Sequence, residues 1–311
     1  MTHPLKSIVL LLLALLITPV LHAETFKAGF AKADISPTKP MPMWGYGDRH
    51  AALSQGVRDP LYAKVVVIEV GTDKLALMGL DLGRSPRPDM MERIRAAVKE
   101  TSGINHLMIS GSHTHHGPVI ELRDEEGKGK GVYDDAIAYV MELEANIIAA
   151  INEAATKTED AKIGWGSAEV LMNRNRQAKK EPKPTDSELS VIRFDDLDGD
   201  PIAVMINYAA HPTMLPGEDL RFSAEWPGQM MNTVEAELKT NAGFLQGAAG
   251  DMSCKPSAET QGIELFGAAI GAEVLKIVAA IECKIPENPS IQSMDEDFDY
   301  NTRIPVDNPM V

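Results

Sequence analysis

Cysteine is nearly missing from this chain: Cys254 and Cys283 are the only two in 311 residues. Two cysteines exclude a disulfide framework, although in an exported protein they would be free to pair. Positive charge is short as well, with 30 Lys and Arg against 45 Asp and Glu and a net charge of −15. Such a chain repels nucleic acid and anionic lipid surfaces, so no nucleic-acid partner is expected. A lipid recognised by its apolar tails remains compatible, with at most transient contact at a membrane surface. The sequence also lacks a long apolar run. Ile8 to Val20 is the longest, short of the roughly 20 residues of a membrane span and followed closely by Glu24-Thr25. With Lys6 before it and Ala23 behind it, the run reads as a signal peptide over residues 1–23, against the alternative of an uncleaved anchor. No cysteine sits there, so lipid attachment is not expected. The expected location is secreted or periplasmic.

The rest of the chain, from Glu24 on, is long enough for one large domain or two small ones. No internal repeat is visible, and one biased stretch, Asp124 to Gly131, reads as a loop. Apolar β-rich runs at 61–70 and 75–81, separated by Gly71-Thr72-Asp73, predict a hairpin, and 189–194 with 201–209 predict a second. Helical spacing is expected over 89–99, 133–156, 228–238 and 261–282, and further strands over 106–110 and 243–248. This alternation predicts an α/β domain of layered mixed sheets with flanking helices and a metal site at strand ends.

Ser112-His113-Thr114-His115-His116-Gly117-Pro118 is the strongest local signal. If the strand from His106 continues through it, His113 and His115 share one face and His116 points away. Two neutral imidazoles on one face supply half of a tetrahedral Zn2+ site; the alternative is a polar loop whose histidines bond to backbone. His211 ends a second apolar strand just before Pro212, and the convergence favours metal. Asp251 and Ser253 lie in Gly250-Asp251-Met252-Ser253, after the strand at 243–248. Ser253 lacks the Gly-x-Ser-x-Gly spacing of a nucleophile elbow, and the segment also reads as a plain turn capped by Asp251. Asn173-Arg174-Asn175-Arg176 carries two guanidinium groups, which stabilise an oxyanion when they stand beside a metal. Asp81, closing its strand, is either a partner of a metal ligand or a turn residue.

Taken together, these segments resemble the N-terminal domain of the neutral/alkaline, non-lysosomal ceramidases. Ala28 to Pro37 is similar to that family's Gly-x-x-x-x-Asp-Ile-Thr-Pro, and Asp59-Pro60-Leu61-Tyr62-Ala63 to its Asp-Pro-Leu-x-Ala. Ser112 to Pro118 resembles Thr-His-Thr-His-Ser-Gly-Pro, with His116 in place of Ser. Asn175-Arg176, Ala210-His211-Pro212-Thr213 and Gly250 to Ser253 match three further motifs in order. The resemblance implies His113 and His211 as zinc ligands, and His115 with Arg176 polarising the substrate amide. It implies Ser253 in the active site, as substrate contact or as nucleophile. Because zinc lowers the pKa of water to about 7, the contact role is preferred; acyl transfer through Ser253 would need His115 within hydrogen-bond reach. The implied activity is zinc-dependent hydrolysis of the amide bond of a ceramide-like N-acyl lipid or smaller amide. The alternatives are a metal-independent serine acyl hydrolase and an inactive lipid- or partner-binding relative. Residues 24–311 are expected to form the catalytic domain, incomplete at its C-terminus. The family takes its remaining ligands, a Glu and a Tyr, from beyond this region, and no such role is carried onto Glu287, Glu296 or Tyr300.

Overall fold

A run such as Tyr62–Val70, apolar on both faces, belongs in a strand covered from both sides, and the computed structural model of the chain places it there. It describes residues 25–49, 52–294 and 296; the expected leader, Tyr300 and most of the stretch from Asp295 to Val311 lie outside the described residues. The strands β1 (Phe26–Asp34), β2 (Tyr62–Val70) and β3 (Asp73–Leu80) form an antiparallel meander. Helix α1 (Pro88–Ser102) leads to β4 (His106–Gly111), which pairs parallel with β3, and α2 (Asp134–Thr156) closes the unit. The chain then takes the same course again. β5 (Glu159–Glu169), β7 (Glu188–Asp196) and β8 (Pro201–Tyr208) form a second meander. Helix α3 (Glu225–Leu238) leads to β9 (Asn241–Gln246), parallel to β8, and α4 (Ile263–Ala280) ends the unit. Two short strands, β6 (Asn173–Asn175) and β10 (Met252–Cys254), make a separate antiparallel ribbon.

The eight longer strands run in the order β4-β3-β2-β1-β5-β7-β8-β9. Only two residue pairs, Lys27 with Asp160 and Ala28 with Glu159, join β1 to β5. At that weak joint the sheet folds over, and β9 comes to lie against β2, β3 and β4. Phe26, Phe30, Val66 and Ile68 from the first half meet Phe194, Ala203 and Met205 from the second in a buried seam. Alternate residues on the same strands face outward: Val65 and Val67 pack with Leu143, Ile147 and Ile151 of α2. Val191, Val204 and Ile206 pack with Trp226 of α3 and Phe266 and Ile270 of α4. The result is four layers, helices outside and two half-sheets inside, in agreement with the expected layered α/β fold. Among the described residues no helix is long and apolar enough to cross a membrane.

The halves approach closely at Gly79, where an added Cβ would stand 2.2 Å from the carbonyl oxygen of Phe244. That contact is backbone and cannot swing aside. Gly79→Ala is expected to destabilise the fold by about 1–3 kcal/mol, the usual range for overpacking. A lower urea midpoint at unchanged m-value would show it; an unchanged midpoint would mean that the halves do not approach so closely.

Both expected hairpins and all four expected helices are present. The strands β1 and β5, which join the halves, were not among the expected elements, and the repeat shows in topology though not in sequence. The expected continuation of the strand from His106 is overturned. β4 stops at Gly111, and His113 has φ 67°, a left-handed conformation that no strand accommodates. The cysteines are both free thiols: Cys254 donates to the His211 carbonyl and Cys283 to that of Arg193.

Candidate metal centre

Three loops at the strand ends meet over the seam. The loop after β4 carries His113 and His115, the loop after β8 carries His211, and the loop after β9 carries Gly250 and Asp251. The three imidazoles offer nitrogen atoms that all lie within 4.8 Å of one another. Period-two alternation is not the cause. The left-handed turn at His113 brings its ring onto the side that His115 occupies, with ring centroids 5.3 Å apart. His116 turns away, as expected; it is fully buried, with Nε2 3.2 Å from the Pro216 carbonyl.

Backbone carbonyls decide the tautomers of two of the rings. His113 Nδ1 is 3.1 Å from the Gly83 carbonyl and His211 Nδ1 is 2.9 Å from that of Ala249. A carbonyl only accepts, so each Nδ1 carries the proton and each Nε2 keeps its lone pair for the space between the rings. This is the second-partner arrangement typical of metal-ligating histidine. Arg176, with one NH2 group 3.2 Å from His211 Nδ1, donates its hydrogen bond instead to the Gly250 carbonyl at 2.9 Å. His115 differs. Its Nδ1 is buried without a partner, and its Nε2 is 3.0 Å from His211 Nε2. With the lone pair of His211 facing it, the proton of His115 belongs on Nε2.

Charge favours the neutral forms. Burial, followed by the neighbouring His211, pushes His113 down to about 4 and His115 down to about 3. Burial also lowers His211, against the hydrogen bond from Nδ1 to Ala249. All three imidazoles are therefore uncharged at neutral pH, the form that binds a cation. The donor set fits a divalent metal of borderline softness: two imidazoles with anchored Nδ1–H groups, and a third ring beside them.

The remaining expected residues surround this cluster. Ser253 pairs with Arg174 across the β6–β10 ribbon, and its backbone bridges to His211. Neither ring nitrogen of His115 is engaged by Ser253. Asp251 accepts from the buried Asn175 side chain at 2.7 Å, and its carbonyl accepts the Arg176 amide at 2.8 Å. Asn173 donates to the Ala209 carbonyl at 2.7 Å. The Asn-Arg-Asn-Arg stretch is thus half buried: the asparagines staple the ribbon to the site, and the arginine side chains stay out. Asp81 is fully buried and accepts from the Tyr62 amide at 2.9 Å. The carbonyls of Gly83 and Ala249, not Asp81, are the groups that meet the outer nitrogens of His113 and His211.

One wall had no counterpart among the expected site residues. Trp44 and Tyr46 each lie edge-on to His115 with centroids 5.0 Å apart, and Trp44 also meets His113 at 4.8 Å. Gly45 between them has φ 112°, and a Cβ there would stand 2.5 Å from the His115 ring. A glycine between two aromatics is the one sequence signal of this close approach.

Known proteins share both the sequence pattern and the fold. A family model described as neutral/alkaline non-lysosomal ceramidase, N-terminal, matches residues 26–261. Neutral ceramidase from Pseudomonas aeruginosa is 23% identical over 253 residues, covering 73% of this chain and 37% of the relative. That from Oryza sativa subsp. japonica is 24% identical over 253 residues, covering 71% and 32%. The chain therefore spans roughly a third of the length of these curated relatives. Among solved structures, the neutral ceramidase from Pseudomonas aeruginosa aligns with a TM-score of 0.71 at 19% identity, over 82% of this chain and 45% of that one. A ceramidase complexed with C2 gives 0.70 at 20% identity, over 82% and 44%. These likenesses show the fold.

Proposed function

The chain belongs to the neutral/alkaline non-lysosomal ceramidase family, and from that premise we propose that it is a zinc-dependent hydrolase of the amide bond in a ceramide-like N-acyl lipid. On this reading residues 24–311 are the N-terminal catalytic domain, and residues 1–23 direct it to the periplasm or out of the cell. The observation that carries the proposal is the pair of carbonyl-anchored tautomers at His113 and His211. Those two Nε2 atoms would hold the ion. Zinc, when bound, supplies Lewis acidity and brings the pKa of water to about 7.

The protein's own groups do the rest. His115 is neutral and carries its proton on Nε2; with the His211 Nε2 lone pair committed to the ion, that N–H would be released from His211 and would donate to the oxygen of the polarised amide. Arg176 adds a full positive charge at the rim, where negative charge develops on that oxygen. Trp44 and Tyr46, each edge-on to His115, would shield that ring from water. Ser253, whose backbone bridges to His211, would hold the substrate by hydrogen bond. The support for a contact role over a nucleophilic one is that neither nitrogen of His115 engages it.

Elemental analysis of the purified chain together with hydrolysis of a fluorescent N-acylsphingosine tests the reading. The expected result is bound zinc, turnover abolished by a chelator, and turnover restored by added Zn2+. Full turnover from a zinc-free preparation would remove the metal from the mechanism and favour acyl transfer through Ser253.

A further inference from the structure

Arg49 is the most buried guanidinium of the loops around the site, 7% exposed. Its hydrogen-bond partners are four main-chain carbonyls. Nε donates to Gly217 at 2.8 Å, one NH group to Trp44 at 3.1 Å and also to His115, and the other to Asp219 at 3.2 Å. Its flat face lies 4.8 Å from the Tyr46 ring centre, and that ring in turn packs on His115. These carbonyls belong to three separate segments. One holds the aromatic wall, one holds the histidines of the first half, and one continues from His211 in the second half.

We propose that Arg49 is a positioning residue for the metal centre: it fixes the spacing between the loop of His113 and His115 and the loop that descends from His211. This rests on the zinc reading above. Arg49 touches no ligand nitrogen and acts through the backbone of His115 and of residues 217–219. A planar fork with five donors spans carbonyls on several sides at once. The ammonium of lysine, a single point with three donors, does not. Charge alone therefore does not replace Arg49.

The test compares Arg49→Lys and Arg49→Ala with the wild type for zinc affinity, with thermal melting of each to establish that it is folded. Both are expected to bind Zn2+ about 10–100-fold more weakly, the loss typical of removing an outer support of a metal site. Guanidinium ion added to R49A is expected to restore part of that affinity. R49K binding zinc as tightly as the wild type would overturn the proposal, as would R49A that melts lower but keeps its zinc affinity. If the wild type itself takes up no zinc, the metal reading fails, and the positioning role is judged on the metal-free protein. Shifted imidazole NMR signals of His113, His115 and His211 in R49K would then support it, and unchanged signals would sink it.

Discussion

Alanine at His211 is expected to strip zinc from the protein and take turnover with it, each by well over about 100-fold. Removing a group that only supports a ligand costs about 10–100-fold in affinity, and His211 is assigned as a ligand. His113→Ala should behave alike, since His113 has the same carbonyl-anchored tautomer. His115→Ala should not. With Nδ1 unpartnered and the proton on Nε2, His115 is the poorest ligand of the three and the best donor. Its loss should leave zinc affinity within about tenfold while turnover falls by about 100- to 10,000-fold, the range for a group that transfers or donates a proton in the transition state. Zinc titration calorimetry beside turnover on one amide substrate separates the cases. Equal loss of zinc in all three variants would make His115 a third ligand and reassign its role.

The second large effect concerns pH and a carboxyl group outside the metal centre. Glu225 opens α3 with φ 60° and is fully buried, accepting from the Leu215 amide at 2.6 Å and from the Trp226 amide at 3.0 Å. Burial pushes it up to about 7, with the Asp59 carboxylate adding to the rise against its backbone hydrogen bonds. In the unfolded chain an ordinary Glu titrates near 4.3. Between these values the folded state holds a proton that the unfolded state has lost, so stability falls as pH rises. The contribution is fully present below about 4.3 and gone above about 7, which at about 1.4 kcal/mol per unit amounts to about 4 kcal/mol. Asp81, raised to about 7 by burial, has the same sign. Urea midpoints of the metal-free protein at pH 5 and pH 8 should therefore differ more in the wild type than in Glu225→Gln. If the two slopes coincide, Glu225 is already ionised in the folded protein at pH 5.

The histidines at strand ends could be found in the sequence because each follows a local apolar run, and the local pattern of β4 and β8 delivers them to the same edge. The paired helices and hairpins were legible for the same reason. What escaped depends on contacts distant along the chain. Arg49 bridges loops through carbonyls as far as 66 and 170 residues away, and nothing near residue 49 announces them. β1 and β5 were missed because small residues such as Ala28 and Gly29 dilute the strand pattern where the backbone needs close approach. Gly29 lies against the C-terminal end of α2, where a Cβ would stand 2.5 Å from the Ala154 carbonyl. The left-handed backbone at His113 was also hidden, because histidine is not the residue that marks such a turn.

The doubled course of the chain has a consequence for how the centre is assembled. His113 and His115 come from one half and His211 from the other, and the two half-sheets are hydrogen-bonded to each other through only two residue pairs. Neither half holds a complete binding set. On the metal reading, an ion that needs His113 and His211 together would act as a coincidence detector: it would be held only when both halves are folded and docked, so that a chain caught partway through folding stays chemically silent.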